Sequence, residues 1–260
     1  MIIANHMIAN RTQEVLLFEQ MVAGSFTKRV LLIEGKSGFG KTWLLARLKQ
    51  TLPLKTLCVQ VDFKLPQPGI PDIFFYIRRR LGKENFPQLN AASERYLSSG
   101  IQICDTTMIG KDNQFSVVLS NLDESTRNFR LTLLREAFFE DLRKIPQKLV
   151  FLFDSYEKAP TELANWLEGE FLAEVVYTPK LIVVIAGQQI PQATIEWIDL
   201  HHCCSLEAIL ELKAWCEYAQ NERLSLNHYE VNAAMVLCKG QPAEIAAALK
   251  TLEAEARKRQ

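Results

Sequence analysis

The chain lacks a charge excess of either sign. Thirty basic and thirty acidic residues cancel to a formal net charge of zero, so no global field points to nucleic acid or to an anionic membrane. The densest basic run, Arg78-Arg79-Arg80, falls in a helix-like stretch and reads as a solvated face. No apolar segment approaches the roughly 18 residues of a membrane span. The start, Met1-Ile2-Ile3-Ala4-Asn5-His6, has neither the basic region nor the longer apolar region of a secretion signal, so a cytoplasmic address is expected. The six cysteines show neither disulfide-framework nor metal-ligand spacing, which suits reduced thiols. In His201-His202-Cys203-Cys204, consecutive residues of an extended chain point to opposite faces and cannot converge on one ion. Internal repeats and low-complexity tracts are missing as well. What is present is an ordinary globular composition, 48% hydrophobic and 23% charged over 260 residues, sized for one large domain or one domain with a small appendage.

One segment carries chemistry outright. Gly35-Lys36-Ser37-Gly38-Phe39-Gly40-Lys41-Thr42 follows the apolar run Val30-Leu31-Leu32-Ile33 and precedes the helix-like Trp43-Leu44-Leu45-Ala46-Arg47-Leu48. That is a phosphate-binding loop in its required context. Its glycines let backbone N–H groups curl around phosphates, Lys41 reaches the β- and γ-phosphates, and the Thr42 hydroxyl suits Mg²⁺. The helix that follows adds its positive dipole end. A nucleoside triphosphate is the expected ligand.

Around this loop the chain alternates strands and helices, the pattern of a parallel sheet covered by helices on both faces. Short apolar runs predict strands at 29–34, 56–63, 148–153 and 180–186, with a further one near 199–206. Helices are expected over 14–22, 41–52, 72–81, 126–144 and 159–176. Between 82 and 125 the pattern weakens, although Gln114-Phe115-Ser116-Val117-Val118-Leu119 reads as another strand between turn-like segments. From about residue 205 only helices follow, at 206–221, 227–238 and 242–258, with Gly240-Gln241-Pro242 as stop and start between the last two. The expected architecture is an α/β, three-layer P-loop NTPase domain over 1–204 and a small all-helical lid over 205–260.

A phosphate-binding loop needs an acid for the Mg²⁺ shell, placed at the end of another buried strand. Leu149-Val150-Phe151-Leu152-Phe153-Asp154 meets that need, and Asp154 is the candidate, a capping or turn residue being the alternative. Hydrolysis also needs a group that orients or deprotonates water. Ser155 stands beside the acid, so Glu157 is the nearest carboxylate: a catalytic base, or a surface acid opening the next helix. The run Leu181-Ile182-Val183-Val184-Ile185-Ala186 ends in Gly187-Gln188-Gln189, so that Gln188 or Gln189 senses the γ-phosphate or forms a polar turn before Pro191.

Taken in order, these motifs resemble the STAND class of signalling ATPases, relatives of the AAA-type ATPases. Asn10-Arg11-Thr12-Gln13-Glu14 before an amphipathic helix, the phosphate loop, the strands ending at Asp154 and Gln188, and Gly240-Gln241-Pro242 in a helical tail carry the likeness over nearly the whole chain. The resemblance implies that Asn10 and Arg11 lie near base and ribose, that Lys41 and Thr42 hold phosphates and Mg²⁺, and that Asp154 completes the metal shell. It places Pro242 of the lid against the nucleotide, where the lid distinguishes ADP from ATP. Members typically rest with ADP in a closed form and open into ATP-bound homo-oligomers when a sensor is engaged. Three departures stand out: Gln188 where relatives often carry Arg, Ser155 where a second acid is usual, and an end at the helical tail, which points to separately encoded sensor or effector partners or to a domain fragment.

The leading expectation is a signal-transduction or defence ATPase module that binds ATP·Mg²⁺, hydrolyses it slowly and uses the nucleotide state to control assembly. Arg127, Arg130, Arg135 and Arg143 are available as a cross-subunit arginine. The competing reading is a nucleotide-gated interaction module with negligible turnover, which Ser155 and Gln188 favour. A DNA-handling AAA-type ATPase is disfavoured by the neutral charge, a small-molecule kinase by the want of a second substrate motif, and GTP by the want of an Asn-Lys-x-Asp segment.

Overall fold

The computed structural model describes residues 9–65, 69–98 and 123–258. The strand read at 114–119 lies outside the described residues. Five parallel strands, β1 (Val30–Glu34), β2 (Leu57–Asp62), β3 (Leu149–Asp154), β4 (Leu181–Gly187) and β5 (His201–Ser205), form one sheet in the order β2-β3-β4-β1-β5. All five coincide with sequence-predicted runs. Their residues alternate between two apolar layers, as period-two side chains must. Val30, Leu32, Phe151, Phe153, Val183 and Ile185 face one layer, whereas Leu31, Ile33, Val150, Leu152, Ile182 and Val184 face the other.

The second layer is covered by α1 (Thr12–Ala23) and α2 (Lys41–Gln50). The first is covered by α3 (Ile70–Leu81), α4 (Pro87–Ser98) and α5 (Glu124–Lys144), then by α6 (Thr161–Trp166), a π turn at Leu167–Phe171 and α7 (Leu172–Tyr177). The single helix expected over 159–176 is thus interrupted by the π turn. Nothing in the sequence foretold α4. Its first N–H groups are capped from a distance: the buried Asp141 carboxylate of α5 accepts from the Gln88 N–H at 3.2 Å and from the Leu89 N–H at 2.9 Å. Two of the arginines considered as cross-subunit groups are committed within the fold, Arg143 to Glu174 at 2.7 and 2.5 Å and Arg135 to Glu170 at 3.0 Å.

The C-terminal region is helical: α8 (Leu212–Asn221), α9 (His228–Leu237) and α10 (Pro242–Lys258) pack around a third apolar cluster, to which Ala9 and Ile209 also contribute. A capping box on Asn227 and Glu230 opens α9. The sequence placed the first of these helices too early. Residues 206–211 are an irregular connector, because their backbone groups are spent elsewhere: the Leu206 N–H donates to the Glu34 carbonyl at 2.7 Å and the Ile209 N–H to the Gly240 carbonyl at 2.8 Å. Leu206, Ile209 and Leu210 therefore mimic helical spacing while Leu206 and Ile209 serve two different cores and Leu210 stays exposed. No helix among the described residues is long and apolar enough to cross a membrane, and no group of three metal-ligating side chains occurs among them.

Candidate nucleotide site

Parallel strands deliver their C-terminal ends to one edge of the sheet, and loops there form the site in open α/β folds. Here that edge carries the Gly35–Thr42 loop after β1, Asp154 as the last residue of β3 and Gln188 after β4. The Gly35 N–H donates to the Gly187 carbonyl at 3.1 Å, tying the loop's entry to the tip of β4. No side chain caps the start of α2, so its first N–H groups depend on the loop or on an anion.

A cavity of about 670 Å³ opens between this edge and the helical region, within the range of small-ligand sites. Ser37 through Thr42 line it, with Arg11, Asp154, Glu157, Gln188 and Pro242. Of the candidate residues, Asn10, Gly35 and Lys36 do not. The Asn10 amide donates to the Glu211 carboxylate at 2.8 Å and faces a neighbouring cleft. Gly35 abuts Leu206, and Lys36 offers its carbonyl to the Lys41 ammonium at 3.0 Å. Arg11 acts as a strut, its guanidinium donating to the carbonyls of Glu207 at 2.8 Å and Phe39 at 3.4 Å.

Lys41 Nζ also donates to the Gly35 carbonyl at 2.5 Å. Burial lowers its pKa, the carboxylates of Glu157 and Asp154 oppose that shift, and Lys64 adds to it. Asp154 is 2% exposed, and burial raises its pKa against a hydrogen bond from the Thr42 side chain. Hydroxyl and carboxylate together are a hard oxygen donor pair fitted to Mg²⁺. That carboxylate carries a net desolvation cost at neutral pH, which the Thr42 bond offsets only in part. A raised folded-state pKa means that the cost is present above that pKa and is relieved as pH falls through it. Asp154→Asn is therefore expected to raise the thermal midpoint near pH 7 by about 2–4 °C per kcal/mol recovered, with the gain shrinking toward acid. Thermal melts of both proteins at pH 7 and pH 4.5 check this; a midpoint lower at pH 7 would count against it.

Ser155, beside the acid, sits in the left-handed region at φ 61, a conformation that costs a non-glycine residue about 1–2 kcal/mol. That reversal turns the chain so that Glu157, two residues on, comes back over β4. The Gln188 N–H donates to Glu157 Oε2 at 2.9 Å and the Gln188 side-chain amide to Oε1 at 3.2 Å. Burial pushes Glu157 up, yet these bonds and the Lys41 charge outweigh it and hold its pKa below the usual carboxylate value. Close approach requires glycine at 187: a Cβ there would stand 2.2 Å from the Gln189 carbonyl oxygen and 3.1 Å from Glu157 Oε2.

The helical region closes over the loop. The Ala243 N–H, in the first turn of α10, donates to the Gly38 carbonyl at 3.0 Å, and the Gln241 amide reaches the Ser37 carbonyl at 3.5 Å. Gly38 has φ +83, and a Cβ on it would meet the Gln241 amide at 2.6 Å. Sequence reasoning passed over the lid's contribution to the cavity wall: Ile209, Trp215, Tyr218, Ala246 and Ala247 form an apolar surface opposite the loop. The i, i+3 spacing of Trp215 and Tyr218 in the first helix of the C-terminal region was the available signal. Lys64, Lys158 and Lys250 were missed as well. With them the cavity has five cationic side chains, Arg11, Lys41, Lys64, Lys158 and Lys250, against three acids, Asp154, Glu157 and Glu222. A chain of zero net charge thus concentrates positive charge beside an apolar wall, the chemistry of a site for a polyanion with a planar apolar end.

No protein-family model matches the sequence, and no curated protein matches it. Solved structures do share its shape. The Walker-type ATPase PABY2304 of Pyrococcus abyssi superimposes with a TM-score of 0.52 at 14% identity, over 97% of this chain and 71% of that one. CDC6P from Pyrobaculum aerophilum gives 0.50 at 11% identity, over 98% of this chain and 64% of that one. The STAND protein PH0952 of Pyrococcus horikoshii, which has a tetratricopeptide repeat sensor, gives 0.49 at 14% identity, over 92% of this chain and 29% of its own length. The present chain therefore spans only part of each. Sheet order and helical C-terminal region thus give this chain an α/β fold shared with the Walker-type ATPase PABY2304 and with CDC6P.

Proposed function

We propose that this chain is the nucleotide-binding switch module of a STAND-like or AAA-type signalling or defence ATPase, which binds ATP·Mg²⁺ and hydrolyses it slowly to control assembly with partner proteins. The observation that supports the reading is the make-up of the cavity: Lys41, Thr42, Asp154 and Glu157 line one side of it, and the other side is a helical region hydrogen-bonded to the Gly35–Thr42 loop itself. In this reading Lys41 and the N–H groups of the loop bind the phosphates, while Thr42 and Asp154 hold the metal. Mg²⁺, when bound, supplies charge neutralisation at the phosphate oxygens. Glu157 orients water, with Gln188 holding the carboxylate in place. The base packs on the apolar lid surface that Trp215 and Tyr218 back from the core, and Pro242 lies where the lid reads the nucleotide. A phosphate group that displaces the Ser37 and Gly38 contacts of the lid would shift the population toward an open form able to meet partners or further copies of the chain.

A specific observation supports the second reading, a nucleotide-gated module that turns over negligibly: Glu157 is held by two hydrogen bonds from Gln188. Both readings require binding through Lys41. Titration of ATP and ADP into the wild type and Lys41→Ala is expected to show an affinity loss of about 10²-fold or more for ATP in the variant, the worth of a charge-assisted contact to two phosphates. Equal affinities in the two proteins would overturn the site assignment.

A further inference from the structure

We propose that Lys64 is a second cation for the terminal phosphate, supplied by the same chain from the exit of β2, and that it makes the site prefer a nucleoside triphosphate over a diphosphate. The inference rests on the reading of the cavity as a nucleoside phosphate site and extends it.

The placement follows from the sheet. Asp62, the last residue of β2, stands opposite Asp154 in the register. The pairing runs one residue further, because the Phe63 N–H donates to the Asp154 carbonyl at 3.1 Å while the buried Phe63 ring stacks on Phe153 at 5.8 Å. A tight turn then forms on Asp62, whose side chain accepts from the Lys64 N–H at 3.0 Å and whose carbonyl accepts from the Leu65 N–H at 3.1 Å. Lys64 is thus presented from a pinned turn, with an exposed side chain that lines the cavity.

Strand order decides which phosphate it meets. The loop follows β1, and β2 is the far edge beyond β4 and β3. A phosphate chain lying in the loop and running toward Asp154 presents its terminal group to the β2 side. Lys41 serves the β- and γ-phosphates, so a cation beyond Asp154 adds contact to the last group alone. The field of Lys64 is felt at both flanking residues: it adds to the lowering of the Lys41 pKa that burial begins, and it opposes the rise that burial imposes on Asp154. Two ammonium groups turned into one cavity repel each other, a cost that a polyanion between them offsets. The arrangement provides in one chain the kind of positive charge that a neighbouring subunit's arginine supplies elsewhere.

The test is titration of MgATP and MgADP into the wild type, Lys64→Met, Lys64→Gln and Lys64→Arg. Met keeps the aliphatic stem and Gln keeps polarity, so a folding defect in one leaves the other to report; an unchanged thermal midpoint without nucleotide certifies each. Expected is an ATP affinity lower by roughly tenfold or more in the Met and Gln variants, the worth of one charge-assisted contact. ADP affinity should change by less than about threefold, and Arg should restore the wild-type ratio. An ATP-to-ADP ratio unchanged in the Met and Gln variants, whether both affinities fall together or neither does, overturns the assignment of Lys64 and leaves the nucleotide site standing. A wild type that binds neither nucleotide overturns both.

Discussion

Glu157→Gln is expected to reduce phosphate release by about 10²- to 10⁴-fold, the range for loss of a positioned acid–base group, while leaving ATP affinity within a few fold. Glu157 lines the cavity, its two carboxylate oxygens are held by the Gln188 N–H and side-chain amide, and its charge acts on Lys41. A carboxylate whose pKa is held low stays anionic through the neutral range. It is accordingly better suited to aligning a water molecule than to retaining its proton, and turnover should be flat with pH until Glu157 itself protonates, below the usual carboxylate range. The amide in Glu157→Gln preserves shape but keeps only one of the two acceptors that Gln188 uses and loses the charge, so the test rests on turnover falling far more than ATP affinity changes. Phosphate release measured under saturating MgATP for the wild type, Glu157→Gln and Lys41→Ala decides the matter. Rates indistinguishable among the three would sink hydrolysis and leave the gated-binding reading.

The parts of this molecule that could be read in advance are those whose signal is local. The run 149–153 has no polar residue and ends in an acid, because a central parallel strand is buried on both faces and its C-terminal end faces the site. The Gly35–Thr42 segment stands out in the sequence for a similar reason, since its glycines, Lys41 and Thr42 form one contiguous pattern between a strand and a helix. What escaped depends on partners far along the chain. Helix α4 is capped by Asp141, more than fifty residues later. The connector at 206–211 is held extended by Glu34 and Gly240, so its apolar spacing misleads. Lys64 carries no motif at all and gains its place only when β2 pairs with β3 and the turn on Asp62 closes. Asn10, which the resemblance put near base and ribose, has its amide bonded to Glu211, a partner 201 residues away that no local pattern announces.

The helical region holds its own core, and Trp215→Ala is expected to cost about 3–5 kcal/mol there, the usual loss for truncating a buried Trp. Trp215 is 1% exposed. Its indole N–H donates to the Ile209 carbonyl at 2.9 Å, and its ring meets Tyr218 edge-on at 5.5 Å. Three consequences therefore coincide in one substitution: a cavity opens in the lid core, the Ile209 carbonyl loses its side-chain donor, and the apolar wall of the cavity loses its largest member. Because that core is a cluster separate from the two that sandwich the sheet, the damage should remain local. Hydrogen exchange is expected to quicken in α8, α9 and α10 while the amides of β3 and β4 keep wild-type protection. The lid is joined to the loop through Ala243 and Gly38, so nucleotide affinity should fall along with lid protection even though every phosphate-facing residue is intact. Uniform loss of protection across sheet and lid would show instead that the two regions fold as one unit. A lid that opens alone, by contrast, is what the proposed switch requires, since only a part able to move independently could be biased by a phosphate it touches.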